Sequence, residues 1–329
     1  MSALKRNFFQ FSKISTKLII ISLFFLIILS ANLALAEIKE KPYVNSEFKI
    51  INDIKFHYRV FQKNDANAKS KILLVHGMGG STYCWRNNSE FLSKNEYQVV
   101  AVDLPGFGYT ERKEDLVHSS ENRAIWLMNL IDYLDEEVFN NDKPWVLVGH
   151  SMGAKPISQM ALYNPERFKG LIYIGGAIYN SPPQVAGDII GSWPFRSVAK
   201  IILNNFVLKR NRIEKLLKSA YGEDLLEKEI DAYLESFKIK GTAEVWLDLI
   251  KSSSPALENI SKIKLPSLLI WGENDSWVPL EEGKKLNKEL SNSQLKIIKD
   301  SYHMPMVTDY KKVNKYIKNF IEQINGKKL

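Results

Sequence analysis

Gly149-His150-Ser151-Met152-Gly153 directly follows the apolar run Trp145 to Val148 and leads into a segment of helical spacing. In so sharp a strand-to-helix turn a Cβ on either flanking residue would collide with strand or helix, so glycine stands on both sides. The turn holds the serine hydroxyl exposed above a sheet. As a pentapeptide alone this is a common Gly/Ser turn; its place between a buried strand and a helix gives it the functional reading. A serine hydroxyl is a weak nucleophile at neutral pH and needs an adjacent base, itself held in one tautomer by a carboxylate.

Those partners are expected downstream, the acid before the histidine. Trp271-Gly-Glu-Asn-Asp275 closes the apolar run Leu268 to Trp271, which puts Asp275 at a carboxyl-terminal strand edge, where sites of open α/β sheets assemble. His303 follows the strand-like Leu295 to Ile298. Ser151, Asp275 and His303 are therefore the candidate nucleophile, acid and base. Glu273, Asp300 and Asp309 are rival acids; the first lies nearer the strand, and the other two are so close in sequence to His303 that they read as loop or cap residues. His57, in a hairpin, and His118, in a polar linker, read as surface or packing residues. An oxyanion would need two backbone N–H donors, one from Met152 and one from Met78 in the turn His76-Gly-Met-Gly-Gly80. That turn lacks the spacing and lysine of a phosphate loop.

The elements that position these residues follow from hydropathy. Ile72 to Val75, Val99 to Val102, Trp145 to Val148, Leu171 to Ile174 and Leu268 to Trp271 are short unbroken apolar runs, the pattern of parallel strands covered on both faces. Ser120 to Val138 and Met152 to Tyr163 carry helical spacing between them, and the alternation predicts a doubly wound, mostly parallel α/β sheet. Residues 47 to 61 alternate around Asn52-Asp53, as an antiparallel edge hairpin does. The βα alternation stops after Gly176 and resumes at Pro266; residues 177–264 read as amphipathic helices inserted as a cap between core segments 37–176 and 265–329.

Lys5, Arg6, Lys13 and Lys17 precede an apolar run from Leu18 to Leu29, and Ala34-Leu-Ala36 follows. That order predicts a signal peptide over 1–36, cleaved to expose Glu37, or else a retained membrane anchor; in both cases the body is exported, periplasmic or secreted. Of the net charge of +8, this leader carries +4, and the remaining 41 basic and 37 acidic residues give no argument for nucleic acid. Cys84 is the only cysteine, so no internal disulfide can form. Five scattered histidines show no metal-ligand spacing, and neither metal nor other cofactor is expected.

Taken together, His76-Gly77 with the following glycines, Asp103-Leu-Pro-Gly-Phe-Gly-Tyr-Thr110, the serine turn, Trp271 to Asp275 and Tyr302-His303 run in one order across nearly the whole chain after the leader. In this the sequence resembles the α/β-hydrolase superfamily, in its capped branch of monoacylglycerol lipases, carboxylesterases and carbon–carbon bond hydrolases. Dehalogenases and epoxide hydrolases share the branch but carry aspartate where Ser151 stands. The resemblance implies a serine hydrolase acting through an acyl-enzyme on a small ester or lipid. Its apolar pocket would be lined by Met78, Phe107, Trp193, Trp246, Trp277 and Met304. Carbon–carbon hydrolysis, aminopeptidase action with Glu244 or Asp248 holding a free amine, and a non-enzymatic ligand sensor keeping the triad stand as alternatives. Lys155, unusual after Ala154, reads as solvated. Residues 196–218 join seven bases to Val198, Ile201 and Ile202, a pattern suited either to a membrane surface or to pairing with the acidic stretch after Glu223.

Overall fold

The computed structural model describes residues 41–62, 68–113, 116–179, 195–203, 208–252, 256–257 and 259–326; the leader, Trp193 and parts of segment 177–264 lie outside them. Strands β1 (Ser46–Ile51), β2 (Ile54–Phe61), β3 (Ser70–Val75), β4 (Tyr97–Val102), β5 (Trp145–His150), β6 (Phe168–Ile174), β7 (Ser267–Gly272) and β8 (Ser293–Ile298) form one sheet in the order β1-β2-β4-β3-β5-β6-β7-β8. From β4 onward in that order every pairing is parallel. Strands β1 and β2 are antiparallel, turning at Asn52 and Asp53 with φ of 49° and 59°, the left-handed pair that a two-residue hairpin of matching twist requires.

The apolar runs predict these central strands, and every residue of β3, β4, β5 and β7 is buried. Leu73 and Val75 face one layer with helices α2 (Ser120–Tyr133) and α3 (Ala154–Tyr163), while Ile72 and Leu74 face the other with α1 (Ser89–Lys94) and α10 (Tyr310–Gly326). Each buried Leu, Ile or Val on these faces contributes about 1.5–3 kcal/mol. Helix α2 starts where the Ser119 hydroxyl accepts the Asn122 N–H, and runs on as a π-turn to Phe139 before Asn140 ends it with φ of 47°.

Between β6 and β7 the chain passes through α4 (Phe195–Ile202), α5 (Arg210–Tyr221), α6 (Glu227–Phe237) and α7 (Thr242–Lys251). Arg196 pairs with Asp248 at 2.9 Å and Lys200 with Glu244, joining α4 to α7; Arg210 pairs with Glu227 and Asp231, joining α5 to α6. Arg86 to Glu229 at 2.6 Å and Tyr109 to Glu235 at 2.9 Å fasten α6 to the core. Helices α8 (Leu280–Glu289) and α9 (Pro305–Thr308) complete the second part of the core. No helix among the described residues is long and apolar enough to cross a membrane.

Candidate active site

The chain leaves β3 for β4 on one side and then crosses back to β5 on the other, so β3 and β5 flank the point where strand order reverses. Crevices at such points, beyond the carboxyl ends of the strands, are where open α/β sheets bind ligands. Ser151 sits there, at the end of β5, with φ of 51°. A non-glycine residue in that region is strained and is held there only by its surroundings. A Cβ on Gly153 would lie 2.6 Å from the Val75 carbonyl oxygen, and one on Gly149 the same distance from that of Gly153, so the elbow closes only with glycine at both places.

Two loops bring acid and base together. The Asn274 N–H donates to the Ser301 carbonyl at 2.8 Å, drawing the turn after β7 against the turn after β8. Asp275 Oδ2 then lies 2.8 Å from His303 Nδ1, and Asp275 Oδ1 accepts the N–H groups of Trp277 and Val278, both at 2.9 Å. With its carboxylate so occupied, Asp275 holds the proton on Nδ1 and leaves Nε2 as the basic nitrogen. Both side chains are buried, and Gly175 stands close behind them with φ of 50°, where a Cβ would be strained and would crowd Asp275 Oδ2 at 3.0 Å. Trp277 stacks on the imidazole with centroids 5.3 Å apart. The rival acids point elsewhere: Glu273 accepts the Asp300 N–H, and Asp309 pairs with Lys312.

The glycine turn after β3 packs directly on the elbow, since a Cβ on Gly77 would meet the Ser151 Cβ at 2.8 Å. His76 fixes that turn. Its Nε2 accepts the Leu104 N–H at 3.0 Å, which leaves Nδ1 to donate to the Gly77 carbonyl at 2.7 Å, and burial lowers its pKa. Met78 and Met152, the expected oxyanion donors, thus lie on two backbone segments in contact. No hydrogen bond joins Ser151 to His303 among the described residues; such contacts are often long without substrate.

Of the expected pocket residues, Trp277 lies on His303, and Trp246 packs 5.9 Å from Phe237 above Gly79. Met78 is half exposed, whereas Phe107 and Met304 are buried in the apolar core, Phe107 edge-on to His76. Trp193 is outside the described residues. A cavity of about 560 Å³ opens at the other end of the sheet, against the amino ends of β6 and β7, and includes none of these residues. Glu244 and Asp248 are tied to Lys200 and Arg196, which removes them as free carboxylates for a substrate amine. No cluster of three or more His, Cys, Asp or Glu placed to hold a metal occurs among the described residues.

Of three further polar residues, Lys155 differs from its sequence reading, while His118 and His57 take the packing alternative. Lys155 is buried rather than solvated, which lowers its pKa, because α3 lays its first turn against the core. His118 is also buried, beside Arg123. His57 is fully buried and forms a second Ser–His–Asp array, with Nδ1 2.6 Å from Asp103 Oδ2 and Nε2 2.8 Å from Ser46 Oγ. Alternation in the hairpin puts His57 on the face of exposed Lys55, but the side chains of Ser46 and Asp103 cover it there. This array is a staple. Ser46 is buried and its hydroxyl also accepts the Tyr43 N–H, while Asp103 accepts the Thr82 and Tyr109 N–H groups. Burial alone would raise the Asp103 pKa; the His57 charge and these hydrogen bonds outweigh it and lower it. An aspartate closing a buried strand at the start of Asp103 to Thr110 was the available signal.

Known proteins bear on this geometry. The chain is 27% identical over 278 residues, 83% of it and 96% of the relative, to the uncharacterized hydrolase YugF of Bacillus subtilis (strain 168). It is 25% identical over 287 residues, 84% of it and 95% of the relative, to a 2-hydroxy-6-oxononadienedioate/2-hydroxy-6-oxononatrienedioate hydrolase of Cupriavidus pinatubonensis. Among solved structures, the enol-lactonase of Burkholderia xenovorans LB400 superposes with a TM-score of 0.68 at 19% identity, over 84% of this chain and all of that one. A putative lipase of Acinetobacter baumannii AYE does so with a TM-score of 0.66 at 21% identity, over 85% and 91%. The family model for the alpha/beta hydrolase fold matches residues 71–310, and this chain, with its parallel sheet and strand-end serine turn, belongs to that family of hydrolases.

Proposed function

We propose that the protein is a serine hydrolase that cleaves a carboxylic ester with an apolar acyl group, of monoacylglycerol-like size, through an acyl-enzyme on Ser151. The observation that carries this reading is the 2.8 Å contact of His303 with Asp275 on loops beside a left-handed serine. Ser151 Oγ attacks the ester carbonyl while His303 Nε2 takes its proton, and the N–H groups of Met78 and Met152 donate to the oxyanion. Collapse breaks the ester bond, and the alcohol leaves with the proton held by His303. Water, deprotonated by the same nitrogen, then attacks the acyl carbonyl and releases the acid.

An acyl-chain series of p-nitrophenyl esters, run with Ser151→Ala and with fluorophosphonate labelling, tests this. Ligand binding without turnover or labelling would make the protein a sensor. A second reading is cleavage of a carbon–carbon bond, supported by the 2-hydroxy-6-oxononadienedioate hydrolases and the 2-hydroxymuconate semialdehyde hydrolase among its relatives. Turnover of a 2-hydroxy-6-oxo-dienoate in preference to every ester would establish it instead. We place the body outside the cytoplasm on the leader pattern of residues 1–36. Mass spectrometry of the purified protein should then find Glu37 first, and Met1 recovered in the membrane fraction would mean an anchor.

A further inference from the structure

Arg123 is 2% exposed and forms no ion pair among the described residues. Its Nη1 donates to the Met152 thioether at 2.9 Å, its Nη2 lies 3.3 Å from His118 Nδ1, and its guanidinium carbon stands 5.4 Å from the centre of the Phe107 ring. Nε of Arg123 and Nε2 of His118 are buried without a hydrogen bond. The residue also stands in the first turn of α2, at the positive end of that helix's dipole. Burial without a counter-charge and a place at the wrong helix end both disfavour a cation. Burial lowers its pKa only to about 9, so the charge persists at neutral pH. His118 adds no second charge, because burial and Arg123 push its pKa down to about 3.

Met152 is the side chain Arg123 touches that belongs to the reaction, for it follows the nucleophile and carries an expected oxyanion donor. We propose that Arg123 is a positioning residue for the oxyanion hole: it fixes Met152 through the thioether, and its uncompensated charge favours the anionic tetrahedral intermediate over the neutral ester. A preorganised charge held beside the residue that carries an oxyanion donor acts where negative charge develops, in the transition state more than on the bound ester. A substrate carboxylate is a poorer occupant, because the guanidinium is closed off by Met152, His118 and Phe107.

This inference rests on the ester-hydrolase reading, and its test separates the two. Arg123→Met, Arg123→Lys and Met152→Leu are compared in the full chain with a neutral p-nitrophenyl ester and an alkyl trifluoromethyl ketone. Ser151 Oγ adds to the ketone's carbonyl carbon while its proton passes to His303 Nε2, and the carbonyl π pair moves to oxygen, giving an oxyanion without a leaving group. Arg123→Met should lower kcat roughly 10- to 100-fold with KM within about threefold, somewhat less than loss of a direct oxyanion donor. Ketone affinity should fall in parallel, Arg123→Lys should recover part of both, and Met152→Leu should lose less because the charge remains. A folded Arg123→Met with kcat and ketone affinity unchanged would overturn the proposal. So would a loss confined to esters bearing a carboxylate. If Arg123→Met fails to fold, unaltered ketone affinity in both other variants would also overturn it. Absence of labelling and turnover in the unaltered protein would remove the hydrolase reading first, and this proposal with it.

Discussion

The backbone N–H of His303 donates to the carbonyl of Ala220, 2.9 Å away, so the loop carrying the expected base hangs from the last turn of α5. Two further contacts join the same places. Trp277, stacked on His303, donates from Nε1 to the Ser219 hydroxyl at 3.1 Å, and Tyr302 packs its ring against Gly222. This end of α5 therefore supports the loop that carries the imidazole.

Gly222 ends α5 with φ of 76°, and the place where a Cβ would stand is taken by the Tyr302 ring. Gly222→Ala should push Tyr302 and His303 out of register. The expected result is a kcat lowered at least tenfold with KM little changed, and stability lowered by about 1–3 kcal/mol. Steady-state kinetics beside thermal unfolding would check both. A loss of stability with full kcat would mean that the α5 turn does not position the base.

Ser151→Ala, His303→Ala and Asp275→Asn should each remove nearly all turnover, on the order of 10⁴-fold, without adding up in combination. Glu273→Gln, whose carboxylate serves the Asp300 N–H, should stay within about threefold of the parent. Single-turnover rates on one ester decide it. Activity surviving in Asp275→Asn but lost in Glu273→Gln would transfer the acid's role to Glu273.

The second Ser–His–Asp array gives the opposite expectation. Ser46→Ala should leave kcat unchanged and cost about 1–3 kcal/mol, because it strands the buried His57 Nε2 and the Tyr43 N–H. Asp103→Asn should cost more, since it loses a charged partner of His57. Urea unfolding with a kinetic assay on the same samples measures both; a kcat loss in Ser46→Ala at full stability would give the array a part in the reaction.

What was legible in the sequence was whatever repeats or bends. Unbroken apolar runs mark strands buried on two faces, and glycines flanking Ser151 mark a turn that tolerates no Cβ. Asp275 follows such a strand, and His303 follows β8, a half-buried edge strand read from Leu295 to Ile298. His57, His118, Arg123 and Lys155 were not legible, since each is a polar residue buried by elements far away in sequence. Their partners, Asp103 and Ser46 for His57 and Met152 for Arg123, are selected by which faces the sheet and α2 present to one another, and spacing carries no record of that.

Buried neutral histidines set the acid limit of stability. His118 is pushed down to about 3 and His150 well below its usual value, in each case first by burial and then by a neighbouring cation or histidine. Below about pH 6.5 the unfolded chain binds protons that the folded chain refuses, so stability is full above that value and falls as pH drops. Each such histidine adds a slope of about 1.4 kcal/mol per pH unit until its folded pKa is reached. Urea midpoints measured from pH 7 to 4 should fall steadily, and more gently in His118→Gln. Equal slopes in both proteins would show that His118 is protonated in the folded state.

The basic stretch 196–218 poses the last question, whether its charges meet lipid or protein. Four of its seven bases are already matched: Arg196 to Asp248, Lys200 to Glu244, Arg210 to Glu227 and Asp231, and Lys218 to Asp224. A base neutralised by a neighbour contributes little further attraction to an anionic surface, because binding there would have to break the pair. Val198 and Ile202 on α4 and Leu216 on α5 remain about half exposed, scattered enough to need no partner. A protein beginning at Glu37 should therefore sediment only weakly with vesicles of phosphatidylglycerol. Lys209→Glu/Arg210→Glu should chiefly loosen α5 from α6, visible as faster proteolysis within the cap. Strong vesicle binding that declines with salt and is abolished by that double change would show that the cap is a membrane-facing surface instead.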